Sequence, residues 1–322
     1  MSRRFPRSLL VALTLLLCGI SLIIGAHEFS ISGLFTGTDS SLFLLAVSRF
    51  PRTASVFVSG VSLAVAGALM QIVASNKFIG PGTASTSQWA QLGLLAALLS
   101  MPDADPMVKM VIAFIFSFFG TMIFLKFIAR LAPKDPVMVP LIGIMLGNVV
   151  GAVTMFIAYR ADIVQNLTSW MQGDFSMVIR GRYELLYISL PFLILATVKA
   201  NDLTIASMGK DMATNLGVSY AATVGIGLLI LSVSVASVIV TVGSIPFIGI
   251  IVPNLVRIGK GDDLKRSLPD ICMVGGTFLL VCDIIGRLVI YPFEIPVGVT
   301  ASIAGAVLFL AMLIRERKHG KA

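Results

Sequence analysis

Apolar residues in this chain gather into long runs, and most charged positions fall in the short segments between them. A helix rises about 1.5 Å per residue, so about 20 apolar residues cross a hydrocarbon core. Read this way, the chain offers ten segments: 8–26, 53–74, 88–101, 107–128, 137–159, 183–198, 220–242, 247–256, 268–290 and 295–314. Two are short. Segment 88–101 fits only where the protein is thin or other helices surround it. The run PFIGIIVPNLV, Pro246 to Val256, is bounded and broken by proline and reads as a half-helix buried among neighbours. Irregular backbone at membrane depth is tolerated only there or beside a water-filled cavity.

Composition narrows the class. Of 322 residues 57% are hydrophobic and only 12% charged, with a mean hydropathy of +0.97. Soluble domains carry about 25% charge, and this chain has too little to wet a surface. It is expected to be an all-α polytopic membrane protein of about ten transmembrane helices, forming one domain over 1–322. A soluble enzyme, a nucleic-acid-binding domain and a disulfide-stapled module are excluded. The first run follows basic residues as a signal peptide would, but it is long and no small-x-small site closes it, so a retained first span is expected.

The net charge of +8 then reads as topology, not as a nucleic-acid surface. If all ten segments alternate, 17 of the 24 Lys and Arg fall on the side of the N-terminus. Arg49, Arg52, Lys109, Arg160, Arg180, Arg182 and Arg287 fall opposite. Cytoplasmic loops carry the excess of Lys and Arg, so both termini are expected in the cytoplasm. Dropping one short segment scrambles this bias.

The chain lacks a phosphate loop, and its nearest basic glycine cluster, IGKGDD, has neither the spacing nor the hydroxyl. No metalloprotease or nucleophile-elbow motif is present, and two distant histidines give no metal-ligand spacing. Cys18, Cys272 and Cys282 sit inside apolar runs and read as small buried hydrophobes. Asp283 and Arg287 lie one helical turn apart and can pair; Arg287 can equally serve a function near the outer face. Arg49 and Arg52, in SRFPRT, stand against the orientation bias. They anchor the interface by snorkelling, or they meet acidic groups of an extracytoplasmic partner.

Between spans, Ile205 to Thr223 forms a segment of middling polarity. Met208, Met212, Ala213 and Leu216 fall near helical spacing, and Gly217 stands where a helix C-cap would. A short amphipathic helix is predicted, lying at the interface or presented to a partner's groove. Small residues recur at helix-contact spacing at Gly143, Gly147 and Gly151, and roughly so at Gly298, Ser302 and Gly305. Close helix packing explains them; lining of a conduit is the sharper alternative.

Several long stretches resemble the permease subunits of bacterial ABC importers for iron-siderophores, haem and cobalamin. They are RFPRTASVFVSGVSLAVAGALMQ (Arg49 to Gln71), ATNLGV (Ala213 to Val218), VGSIPFIGIIVPNLVR (Val242 to Arg257), DIIGRLVIYPFEIPVG (Asp283 to Gly298) and the run from Glu294 to Lys318. They are ordered as in the family and cover the chain nearly end to end.

The resemblance implies ten spans, a dimer with an identical or sister permease, and translocation along the subunit interface. It implies two separate ATPase subunits, which use ATP and Mg, an extracytoplasmic substrate-binding protein, and no cofactor on this chain. By the same resemblance Arg49, Arg52 and Arg287 match arginines that face glutamates of the binding protein. Ala213, Leu216 and Gly217, with Met208 and Met212 beside them, match the coupling helix that presses into the ATPase. Gly143, Gly147, Gly151, Gly298 and Ser302 are the candidates for lining the pathway. The region SNKFIGPGTASTSQWAQLG departs from the family pattern: Lys77 replaces a proline and Ser85 to Ala90 replace small residues. The variant looks more like the iron-chelate branch than the cobalamin branch, with a catechol-type siderophore as the expected cargo. An ion-coupled secondary carrier is the alternative class, and the scarcity of midplane carboxylates speaks against it.

Overall fold

The computed structural model describes residues 7–24, 43, 45–131, 137–178, 181 and 183–319. Thirteen α-helices cover most of them, and among the described residues there is no strand. In chain order they are α1 (Arg7–Ile23), α2 (Phe50–Val73), α3 (Thr86–Ser100), α4 (Pro106–Leu131), α5 (Met138–Arg160) and α6 (Val164–Trp170). Then come α7 (Ser189–Val198), α8 (Ala200–Ala206), α9 (Lys210–Asn215), α10 (Tyr220–Val242), α11 (Ile248–Lys260), α12 (Leu264–Leu288) and α13 (Val297–His319). A π-helical turn, Leu45–Arg49, leads into α2, and a 3-10 turn, Glu184–Ile188, leads into α7.

Each of the ten apolar segments is helical. Five described helices are long and apolar enough to cross a membrane by themselves: α2 with its lead-in, α4, α5, α10 and α12. The sixth segment is a bent pair, with α8 turned by 65° from the helix ending at Val198. The others are shorter, and α3, at 15 residues, is enclosed by α4, α5 and α10.

Side-chain contacts give the directions of the helices. Arg7 Nε meets Asp270 Oδ1 at 3.2 Å, Thr14 Oγ1 meets Thr277 Oγ1 at 2.7 Å, and Arg287 Nη2 meets Ser21 Oγ at 2.6 Å. Numbers rise together, so α1 and α12, the first and ninth segments, run parallel. By the same test α2 and α12 are antiparallel, since Arg52 meets Asp283 and Gly60 meets Gly275. Parallel packing of the first and ninth segments needs an odd number of crossings between them, and segments two to eight supply seven. Counting one short segment without the other is therefore excluded.

Helices α2 and α10 form the centre of the bundle: 78% of the apolar window of each is buried, against 28% for α4 and α5. Small residues let α2 sit there. A Cβ added at Gly67 would lie 1.9 Å from Gly249 O, and one at Gly60 would lie 2.4 Å from Gly275 O. Without a hydrophobic drive between helices in lipid, such backbone approach is a principal source of association. Hydroxyls from different helices pair within the core, as Ser62 with Ser189 at 2.9 Å and Thr86 with Thr121 at 2.8 Å.

The half-helix reading of 247–256 holds in α11, which has 13 residues with Pro253 inside it. It begins after Phe247, whose φ of 69° is in the left-handed region. A bulky residue held there costs about 1–3 kcal/mol.

Candidate functional site

Two ends of the bundle carry the residues singled out by sequence. At one end, α1 finishes, α2 and α13 start, and α12 finishes. Arg52, in the first turn of α2, donates from Nη2 to Asp283 Oδ1 at 2.9 Å and from Nη1 to Glu294 Oε2 at 2.7 Å. Arg287 Nη2 pairs with the other Asp283 oxygen, as the one-turn spacing predicts. Asp283 is fully buried and the Arg287 side chain is 4% exposed, whereas Arg52 and Glu294 are 14% and 24% exposed. Two guanidinium groups and two carboxylates thus make a neutral network, deep at Asp283 and open to the surface at Glu294. A buried charge is tolerated only when paired and hydrogen-bonded in this way.

Arg287 and Arg49 close the end of α1. The last four carbonyls of a helix lack intrahelical donors and carry the negative end of its dipole. Arg287 Nη1 donates to Ser21 O at 3.0 Å and Ile24 O at 2.8 Å, and Arg49 Nη1 donates to Leu22 O at 2.9 Å and Ile23 O at 2.6 Å. The structure therefore brings Arg49, Arg52 and Arg287 to one end, as a docking face requires, and gives each an intramolecular partner. Arg287 faces inward. The Arg52–Glu294 pair is the part of the network nearest the surface. Glu294 and the α1 carbonyls escaped sequence reasoning, because nothing local links Arg52 to Glu294, 242 residues away, or Arg287 to Ser21, 266 residues away.

The opposite end carries α8 and α9. The short amphipathic helix predicted within 205–223 is α9, and Gly209 at φ 103° sets it apart from α8. Met208 consequently lies in the turn and not on the helix. Met208, Met212 and Leu216 are 60%, 50% and 56% exposed, while Ala213 is fully buried. The C-cap placement of Gly217 agrees with its φ of 76°; Val218 N and Gly217 N bond back to Ala213 O and Thr214 O at 2.9 and 3.0 Å. Three large apolar side chains around a rigid, glycine-bounded turn suit a protein partner.

The small-residue positions divide. A Cβ added at Gly143 would lie 2.0 Å from Thr83 O, and one at Gly298 would lie 2.2 Å from Gln172 O, so both allow close backbone packing. Gly147 faces Gln88, with 3.2 Å to its amide carbon from an added Cβ. Of the four glycines only Gly151 has open space around it; Ser302 is half-buried and donates to Gly298 O at 2.5 Å. Among the described residues no group of three or more His, Cys, Asp or Glu could hold a metal ion. Arg180 and Arg182, used in the charge count, lie outside the described residues, as do Arg3, Arg4, Lys134 and Lys321.

Known proteins match this arrangement over nearly its whole length. The petrobactin import system permease YclN of Bacillus subtilis is 44% identical over 310 residues, covering 96% of this chain and 98% of that protein. The ferric-anguibactin transport system permease FatD of Vibrio anguillarum is 38% identical, covering 94% and 96%. A solved metal-chelate type ABC transporter in an inward-facing conformation superposes with a TM-score of 0.80 at 22% identity, covering 96% of this chain and all of that one. That superposition bears on the fold, which is that of a polytopic helical permease. The model of the FecCD transport family matches residues 13–315, and the chain, a multi-pass membrane permease, belongs to that family.

Proposed function

We propose that this chain is the membrane permease of an ATP-driven importer that carries a ferric siderophore across the bacterial cytoplasmic membrane. The observation that carries the reading is full-length similarity to permeases named for petrobactin and anguibactin, two of them at 38–44% identity. A catechol-type chelate is the finer reading, suggested by the departures in segment 75–93. Both termini face the cytoplasm, an assignment supported by the charge bias and by the parallel α1 and α12.

In this reading the chain holds no nucleotide, and two ATPase subunits bind at the α8–α9 end. Met208, Met212 and Leu216 fill the ATPase cleft, while buried Ala213 and the turn at Gly217 fix their position. Closure of the ATPase pair moves this segment, and the bundle opens alternately to each side. A substrate-binding protein docks at the other end, where Arg49 and Arg52 meet its carboxylates. A second permease, identical or sister, completes a two-fold pathway; Gly147, Gly151 and Ser302 remain candidates to line it. Gly143, Gly298 and Arg287 are assigned to packing and to the end of α1.

Reconstitution of the chain with its ATPase and binding protein tests this. ATP-dependent accumulation of radioiron as ferric petrobactin in proteoliposomes is expected, with competition by catecholate but not hydroxamate chelates. Accumulation by the chain without an ATPase would refute the assignment.

A further inference from the structure

The break between α10 and α11 holds an arrangement that neither docking nor coupling uses. Ile248 N donates to Pro246 O at 3.0 Å across Phe247, closing a γ-turn at φ 69° and ψ −31°. That turn with positive φ is rare and strained for a residue bearing a side chain. Glycines stand nearby at 243 and 249, yet the strained position is filled by phenylalanine.

The side chain has a prepared seat. A Cβ added at Gly305 of α13 would lie 2.5 Å from Phe247 Cβ and 3.0 Å from its Cγ. Nearby, backbone hydrogen bonds join three segments: Asp174 N to Val242 O at 3.0 Å, Ser244 N to Met171 O at 3.3 Å and Gly298 N to Gly173 O at 3.0 Å. The end of α10 and the start of α13 are therefore stitched together, and Phe247 on Gly305 is a side-chain contact just beyond the stitch. Ile250 N and Ile251 N both donate to Phe247 O at 3.0 Å, so the conformation of Phe247 aims the first turn of α11. At the far end of α11, Asn254 Nδ2 donates to Lys77 O at 2.8 Å and Arg257 Nη2 to Gln71 Oε1 at 3.1 Å. A swing of the half-helix thus reaches α2, at the centre of the bundle, and the segment that follows it.

We propose that Phe247 is a positioning residue for transport, its ring seated on Gly305 to hold α11 in one of two orientations. When α13 shifts, the seat is lost, the strained turn relaxes, and α11 turns with it. This rests on the reading of ATP-driven transport given above.

The test is the number of substrate molecules taken up per ATP hydrolysed by the complete importer in proteoliposomes, with melting temperature measured alongside. Phe247→Gly frees the turn and removes the ring. It is expected to lower uptake per ATP about threefold or more, within the range for single substitutions that alter coupling, without lowering the melting temperature. Phe247→Leu keeps an apolar seat and retains most of the ratio. Gly305→Ala crowds the ring and lowers the ratio, and Phe247→Gly with Gly305→Ala is no worse than Phe247→Gly alone. If Phe247→Gly does not assemble, Gly305→Ala and Phe247→Leu carry the same comparison. A wild-type ratio in Phe247→Gly, or in Gly305→Ala, overturns the proposal alone. Absence of ATP-driven uptake by the unmodified importer overturns the transport reading and this proposal with it.

Discussion

Arg287 donates from Nη2 to the hydroxyl of Ser21 at 2.6 Å and from Nη1 to its carbonyl at 3.0 Å, across 266 residues of chain. The first helix is thereby capped by the ninth apolar segment. Asp283, fully buried one turn earlier, pairs with that cation and with Arg52, and Glu294 on Arg52 supplies the second negative charge.

Removing Arg287 leaves Asp283 with Arg52 alone and strips the end of α1 of three hydrogen bonds, to Ser21 O, Ser21 Oγ and Ile24 O. Arg287→Met is expected to destabilise the protein by about 3–5 kcal/mol, the range for breaking a buried pair. Thermal unfolding in detergent measures it. A melting temperature equal to wild type would show that the network contributes nothing to stability.

Docking and structure separate at this end of the bundle. Arg52→Gln, near the surface, is expected to slow capture of the loaded binding protein several-fold, with the difference shrinking in high salt. Arg287→Gln is expected to lower stability while the folded fraction captures the binding protein at the wild-type rate. Surface-plasmon association rates at two ionic strengths distinguish them; a larger docking loss for Arg287→Gln would reverse the assignment.

At the other end, Leu216→Asp and Met212→Asp place a charge on exposed positions and leave buried Ala213 in place. Both are expected to insert and melt like wild type, yet to lose stimulated ATPase and uptake together. Normal stimulated ATPase in both variants would remove the coupling role.

Glycine substitutions rank the packing. Gly67→Ala puts a methyl 1.9 Å from the backbone oxygen of Gly249 and is expected to cost about 1–3 kcal/mol or more. Gly151→Ala enters open space and is expected to leave the melting temperature unchanged. Equal melting temperatures for the two variants would contradict the close approach of α2 and α11.

Much of the fold was legible in the chain because the bilayer imposes a length on apolar runs. All ten segments proved helical, and the Asp283–Arg287 pair followed from helical spacing. What local pattern could not supply were relations between distant segments. Glu294 and the α1 carbonyls as partners of Arg52, Arg49 and Arg287 depend on which helix ends meet. Gly209 parting α9 from α8, which leaves Met208 in a turn, depends on a positive φ that a helical pattern cannot reveal.

The sequence by itself determined that the chain is a helical membrane protein, because 12% charge cannot wet its surface, and which of its residues are charged at all. The tertiary structure decided what those charges do. In a low-dielectric interior a charge must find its partner wherever the packing brings one, and packing joined Arg52 to Asp283 across 231 residues. The same holds for the glycines: spacing marked a small-residue face, and only backbone approach decided that Gly143 and Gly298 are filled while Gly151 is open.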